Sequence, residues 1–229
     1  MAATAALLTG CSGARVTISQ QALSRALVAA GGREIVVPVT AGGCVQRSRL
    51  TASGTASQVT LVLDQYSQGA VCAADASYGT ATVTMRHPLG RRSLVDGTTG
   101  RRVPYFDGTK LPPVTHLPPG YRFSRYFPAG RAGWERDYIS SARGNGPIIV
   151  AQAPGKSPAG PAWPAEPAVR AGGRLLSVRQ GASGAQVFGR EVCWRAGGYS
   201  FAVYTLVARE GQQPVPLDEL SSIAAALSP

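Results

Sequence analysis

The chain has 229 residues, room for one large domain or two of about a hundred residues each. Mean hydropathy is zero and 44% of residues are hydrophobic, which excludes global disorder, and no apolar run approaches the roughly 20 residues of a membrane-spanning helix. The formal charge of +11 is diffuse, net +4 over residues 1–100 and +7 over 101–229, and almost wholly arginine, with only Lys110 and Lys156 as lysines. Short pairs such as Arg91-Arg92 and Arg101-Arg102 are its densest clusters, which argues against a nucleic-acid partner and leaves weak attraction to anionic envelope polymers or headgroups.

Taken in chain order, residues 2–8 (AATAALL) are small and apolar and run into Leu8-Thr9-Gly10-Cys11, after which the chain turns polar. The quartet resembles the bacterial lipobox. That resemblance implies that the Cys11 thiol, the nucleophile, receives a diacylglycerol and that a peptidase cuts after Gly10. Cys11 then begins the mature chain, fatty-acylated (palmitate-type) and anchored at the extracytoplasmic face of the cell membrane. Residues 1–11 read as the signal segment. Two acyl chains at about 0.8 kcal/mol per buried methylene suffice for stable anchoring. Of the other cysteines, Cys44 in AGGCVQ and Cys72 in GAVCAAD lie beside turn-like glycines. A Cys44–Cys72 bridge would close a loop of about 28 residues, contribute about 3–4 kcal/mol, and suit an oxidising compartment. Cys193 is then a small, partly buried thiol in a strand. No CxxC occurs, so no metal site is expected.

SQQALSRALVAA (Ser19–Ala30) predicts a helix: Ser19 as N-cap, Leu23 and Leu27 stacked at i,i+4, and Gly31-Gly32 as the stop. REIVVPVT (Arg33–Thr40) predicts a strand, placed at a sheet edge by Pro38. CVQRSRLTAS, SQVTLVLDQYS (Val59, Leu61 and Leu63 alternating) and TATVTMRH continue the β pattern. DGTTG within His87–Val103 is a turn. Residues 12–103 thus predict a small disulfide-containing α+β domain, and the proline-rich stretch 104–118 a linker. Residues 119–229 predict a second α+β domain. Its strands lie in YRFSRYF, WERDYIS and GPIIVAQA, then in a pair about Ala196-Gly197-Gly198, with Val192 and Trp194 on one face and Glu191, Cys193 and Arg195 on the other. APGKSPAGPAWPAEP (Ala153–Pro167) reads as a long exposed loop. PLDELSSIAAALSP ends the chain in an amphipathic helix, with Leu217, Leu220, Ile223, Ala224 and Leu227 on one stripe and Asp218 and Glu219 in its first turn. The fold class expected is α+β: two β-rich domains, mostly antiparallel, with one N-terminal and one C-terminal helix packed on the sheets.

LPPGY (Leu117–Tyr121), VFGREVCWRAGGYSFAV (Val187–Val203) and LDELSSIAAAL (Leu217–Leu227) occur in that order. Together they resemble an uncharacterised domain of Gram-positive lipoproteins and of proteins linked to anti-sigma factors and sporulation. Val187, Gly189, Trp194, Gly198 and Tyr199 fit its strand pattern, and Ile223, Ala224 and Leu227 its helix. Residues 33–103 separately resemble the N-terminal half of actinomycete-type lipoproteins. Both likenesses imply membership without chemistry, and no catalytic residue is carried across.

The residues themselves also offer little catalysis. Gly155-Lys156-Ser157 lacks the P-loop glycine, for Val150 stands there, and prolines forbid the following helix. Gly144–Ile149 leads into a strand and lacks a fingerprint glycine. No GxSxG elbow exists, and His87 and His116 stand near prolines in predicted loops. Glu135 or Asp137 with Glu191 would make a glycosidase pair, but their spacing does not support one. No catalytic, cofactor or metal residue is therefore assigned. The aromatic- and arginine-rich stretch after the linker suits recognition, and Tyr121, Arg122, Arg125, Tyr126, Trp134 and Arg136 form the candidate binding face. The reading is a membrane-anchored extracytoplasmic lipoprotein with a non-catalytic binding or regulatory role, its partners an envelope protein or an anionic cell-wall polymer. Its rivals are an enzyme acting on cell-wall polymer and a structural or assembly component of an envelope complex.

Overall fold

Alternating apolar and polar residues dominate this chain, and period two is the signature of half-buried strands. A computed structural model describes residues 16–68, 76–108, 113–130, 132–142, 144–155, 160, 163–183, 187–207 and 211–227. Of these described residues 62% are in strands and 7% are helical. Cys11 and Cys72 lie outside the described residues; Cys44 is disulfide-bonded and Cys193 is a free, half-buried thiol.

The N-terminal lobe contains β1 (Val16–Gln21), β2 (Ala26–Ala29), β3 (Glu34–Ala41), β4 (Val45–Gly54), β5 (Gln58–Gln68), β6 (Ser77–Thr84), β7 (Ser93–Asp96) and β8 (Tyr105–Asp107). One sheet runs β1-β5-β4, with β7 joined in parallel to the start of β5. The other runs β6-β3-β2-β8. They face each other across a core of Val28, Ile35 and Val37 from the second sheet and Val59, Leu61 and Leu63 from the first. The alternation of those β5 residues is the one their spacing predicts. Asp96 closes the DGTTG turn. It accepts hydrogen bonds from Thr99 Oγ1 (2.7 Å) and Thr98 N (3.0 Å), and reaches back to Leu23 N at 3.2 Å.

The C-terminal lobe contains β9 (Tyr121–Ala129), β10 (Gly133–Ser140), β11 (Ile148–Pro154), β12 (Ala165–Ala171), β13 (Arg174–Ser183), β14 (Val187–Ala196), β15 (Tyr199–Val207) and α1 (Leu217–Ala226). Its strands form one antiparallel sheet in the order β12-β13-β14-β15-β11-β10-β9. The β14–β15 connection is a two-residue turn with φ of 56° at Gly197 and 80° at Gly198, positive at both positions as a tight hairpin of this hand requires. Helix α1 lays Leu220, Ile223 and Ala224 on the sheet against Val192 and Val203. Arg174 Nη1 donates to the Leu227 carbonyl at 2.7 Å, placing a cation at the negative end of the helix dipole.

Three expectations need correction. The α+β class is wrong: among the described residues α1 is the single α-helix, and the helix expected over Ser19–Ala30 is replaced by β1, β2 and a short 3-10 turn. The reason is two-sided burial. Ala26 and Val28 enter the sandwich core while Leu27 and Ala29 pack on Trp134 from the other lobe, so ALVA is a strand covered on both faces, not an i,i+4 stripe. Next, β3 is an inner strand, flanked by β6 and β2, despite Pro38. Pairing with β2 stops at Val36, so Pro38, though paired with Thr80 of β6, needs no N–H for β2, and its carbonyl accepts from Gln21 Nε2 at 3.3 Å. Last, the 153–167 loop is not wholly exposed, since Trp163 is buried. The proline-rich stretch 104–118 begins inside the first lobe: β8 pairs in parallel with β2, while Val114 and Leu117 pack on the core beneath α1.

Candidate functional site

One face of the C-terminal sheet carries α1 at its β12–β14 side and the N-terminal lobe at its β9–β10 side. Where the lobes meet, Leu27, Ala29 and Val36 close on Trp134, which is 1% exposed. Thr80 Oγ1 donates to the Tyr126 carbonyl at 3.2 Å and adds a polar tie between them.

Next to this seam lies a cleft of about 960 Å³, within the range of small-molecule sites. The N-terminal lobe supplies Ser24 and Arg25 before β2, and Pro104, Tyr105, Phe106 and Asp107 at β8. The C-terminal lobe supplies Gly130, Ala132 and Trp134 at the β9–β10 turn, Pro154 at the end of β11 and Tyr199 at the start of β15. The register explains the second group, for the β9–β10 turn, the end of β11 and the Gly197-Gly198 turn all lie at one end of the sheet. Four aromatic side chains thus line one opening. Phe106 and Tyr199 meet edge to face at 6.1 Å across the lobe boundary.

Arg25 is the cation of the cleft. Its guanidinium lies 5.6 Å from the Trp134 ring centroid, its Nη1 is buried without a hydrogen-bond partner, and burial lowers its pKa. The two ion pairs among the described residues, Arg125–Asp137 (2.8 Å) and His116–Glu219 (3.7 Å), do not involve it. Gln152, the cross-strand neighbour of Trp134, is 2% exposed and has an unpartnered Oε1.

The opposite face of the same sheet gathers the carboxylates. Tyr204 donates its hydroxyl to Glu135 Oε1 at 2.6 Å, and Glu191 stands directly across from Tyr204 on β14. Burial first, with repulsion from Asp137, pushes Glu135 up to about 7 against the Tyr204 hydrogen bond and Arg125. Burial pushes Glu191 to about 7 as well, opposed by Arg179. The Tyr204 hydroxyl is pushed far up by burial and by these carboxylates. Trp163 covers this face, seated in the notch left by Gly181 and Gly189, which pair across β13 and β14, and meeting Tyr204 edge to face at 6.4 Å. Gly160 passes directly over the Glu191 carboxyl.

The glycosidase pairing weighed from sequence therefore shares a face, but β14 and β10 are three strands apart. At ~4.8 Å per strand their backbones stand roughly 14 Å apart. Tyr204, on an intervening strand, takes up the Glu135 carboxyl itself, leaving no matched pair about one bond.

The six residues of the expected binding face do not come together. Tyr121, Tyr126, Trp134 and Arg136 point to the face that carries α1 and the N-terminal lobe, whereas Arg122 and Arg125 share the other with Asp137 and Ile139. Arg136 is buried and Tyr121 donates its hydroxyl to the Gly146 carbonyl at 2.8 Å, a structural role. Trp134 alone of the six lines the cleft. Sequence reasoning missed Arg25, Tyr105 and Phe106. Arg25 was absorbed into the expected helix, and its signal was a charge immediately before a four-residue apolar run. Comparison of the chain with protein-family models, with curated proteins and with solved structures finds no match.

Proposed function

We propose that this protein is an extracytoplasmic lipoprotein, tethered through Cys11, that binds an envelope ligand in the cleft between its lobes without turning it over. The observation that carries the reading is the cleft itself: an opening at the lobe boundary with aromatic walls and a guanidinium that pairs with no carboxylate among the described residues. A half-buried guanidinium without a carboxylate partner is matched by a bound anion. The lipobox-like Leu8–Cys11 supports the tether, and the disulfide state of Cys44, with Cys72 as its proposed partner, supports an oxidising compartment. The resemblance of residues 117–229 to lipoprotein domains of Gram-positive bacteria points the same way.

One observation favours the enzymatic rival: two carboxyls lifted to about 7 next to a tyrosine suit acid–base work. Their separation across the sheet, and the chain passing over Glu191, favour a structural role instead.

The test uses the full chain in a bacterial host. Cys11→Ser is expected to move it from the membrane to the soluble envelope fraction. Native mass spectrometry of the purified protein is expected to show a non-protein adduct that Ser24→Trp, at the exposed mouth of the cleft, abolishes. Membrane retention of Cys11→Ser overturns the tether; an adduct indifferent to Ser24→Trp, or none at all, overturns the cleft as the site.

A further inference from the structure

The walls of the cleft differ in chemistry from end to end. Register places Ala26 beside Tyr105 and Val28 beside Asp107, so Arg25 and Asp107 stand at different heights along the β2–β8 pair. Between and opposite them the lining is ring and backbone: Phe106, Trp134, Tyr199 and the prolines. An apolar body can rest there, and among the described residues of the lining only Arg25 offers a cation, one paired with no carboxylate.

Three features define what that donor wants. The side chain is half-buried and pairs with no carboxylate among the described residues, so part of the desolvation cost of a contact there has been met in the folded protein. The Trp134 ring 5.6 Å below supports the positive charge but accepts no in-plane hydrogen bond. A guanidinium presents donors in one plane, which matches the paired oxygens of a carboxylate, phosphate or sulfonate.

Resting on the reading of the cleft as the binding site, we infer that its ligand is an organic anion: one carboxylate, phosphate or sulfonate group held by Arg25, on a compact apolar body lying against Phe106 and Tyr199. Hydrogen bonds to charged groups in such settings change affinity by about ten- to a hundred-fold.

The probe is 1-anilinonaphthalene-8-sulfonate, a fluorescent anion on an aromatic body, with N-phenyl-1-naphthylamine as its neutral counterpart. Titration of the full chain is expected to give one saturable sulfonate site, with Ser24→Trp abolishing both probes. Arg25→Gln is expected to weaken the sulfonate at least ten-fold and leave the neutral amine within two-fold. On the unaltered protein, 2-naphthoate is expected to displace the bound probe at least ten-fold better than 2-naphthol, which keeps the test independent of the folding of any variant. If Ser24→Trp abolishes binding while Arg25→Gln and the naphthoate comparison show no preference for charge, the anion inference is overturned and the cleft reading stands. If Ser24→Trp leaves both probes bound, both fail.

Discussion

Glu191→Gln isolates the electrostatic cost built into the covered face of the C-terminal sheet. The Glu191 residue is 1% exposed and its Oε2 has no hydrogen-bond partner. Burial, only partly offset by Arg179, raises the carboxyl from its ordinary 4.5 to about 7. Between those values the folded protein keeps a proton that the unfolded chain has released. The contribution of this group to stability is therefore full below about pH 4.5, declines as pH rises, and is lost above about 7. The gap between 4.5 and about 7, at ~1.36 kcal/mol per pH unit, amounts to about 3 kcal/mol at pH 8. Glutamine keeps the shape and cannot ionise. The variant is expected to be more stable than the parent by about 3 kcal/mol at pH 8 and to differ by no more than about 1 kcal/mol at pH 5. Urea denaturation followed by far-ultraviolet circular dichroism at the two pH values reads both numbers. Glu135, raised by the same cause, contributes a slope of the same sign to both proteins and drops out of the difference. Equal stabilities at pH 8, or a less stable variant, would refute the argument that Glu191 is held neutral by burial.

Gly189→Ala places a methyl group against the Trp163 indole and 2.7 Å from the Thr205 carbonyl oxygen. Overpacking of this kind costs about 1–3 kcal/mol. A fall in urea midpoint with a red shift in tryptophan emission is expected, whereas a change below about 0.5 kcal/mol would mean that the notch does not seat Trp163. Asp96→Asn removes the charge that accepts from Leu23, Thr98 and Thr99. Burial opposes ionisation at Asp96, but those hydrogen bonds outweigh it and hold the pKa below the ordinary 3.8. A loss of about 1–3 kcal/mol is expected at pH 7. The advantage of the carboxylate is present above its unfolded pKa of 3.8 and is lost as pH falls through the lowered folded pKa, so the gap between the two proteins should narrow as pH falls to 3. A gap that persists unchanged at that pH would contradict the assignment.

The lobes divide labour in a way that the two faces of one sheet make visible. The face bearing Tyr204 and Glu191 is sealed by its own chain through Trp163, and on it Tyr204 bonds to Glu135. The face bearing Trp134 is sealed by a different lobe, and the seal stops short at the end of the sheet. An opening left between two rigid surfaces needs no dedicated cavity wall, and its lining can be drawn from both.

Local pattern alone was enough for much of this architecture. The Val59-Leu61-Leu63 alternation, the paired glycines at 197 and 198, the turn at Asp96 and the apolar stripe of Leu220, Ile223 and Ala224 each encode their element within a few residues, because each is decided by neighbours one or two peptide units or one helical turn away. Gly189 was visible as part of a strand pattern, though not its reason, which is an indole arriving from 26 residues earlier. What only the tertiary structure decided is where both faces of a segment are covered at once. Ala26–Ala29 carries a helical spacing and becomes a strand because the sandwich core takes one side and Trp134 the other. The cleft depends on the same event. Its walls come from residues 24–26, 104–107, 130, 132, 134, 154 and 199, and no local propensity records that a β2–β8 pair will meet the turn ends of a sheet built later in the chain. Burial is written residue by residue, but the choice of which surface does the burying belongs to the folded whole.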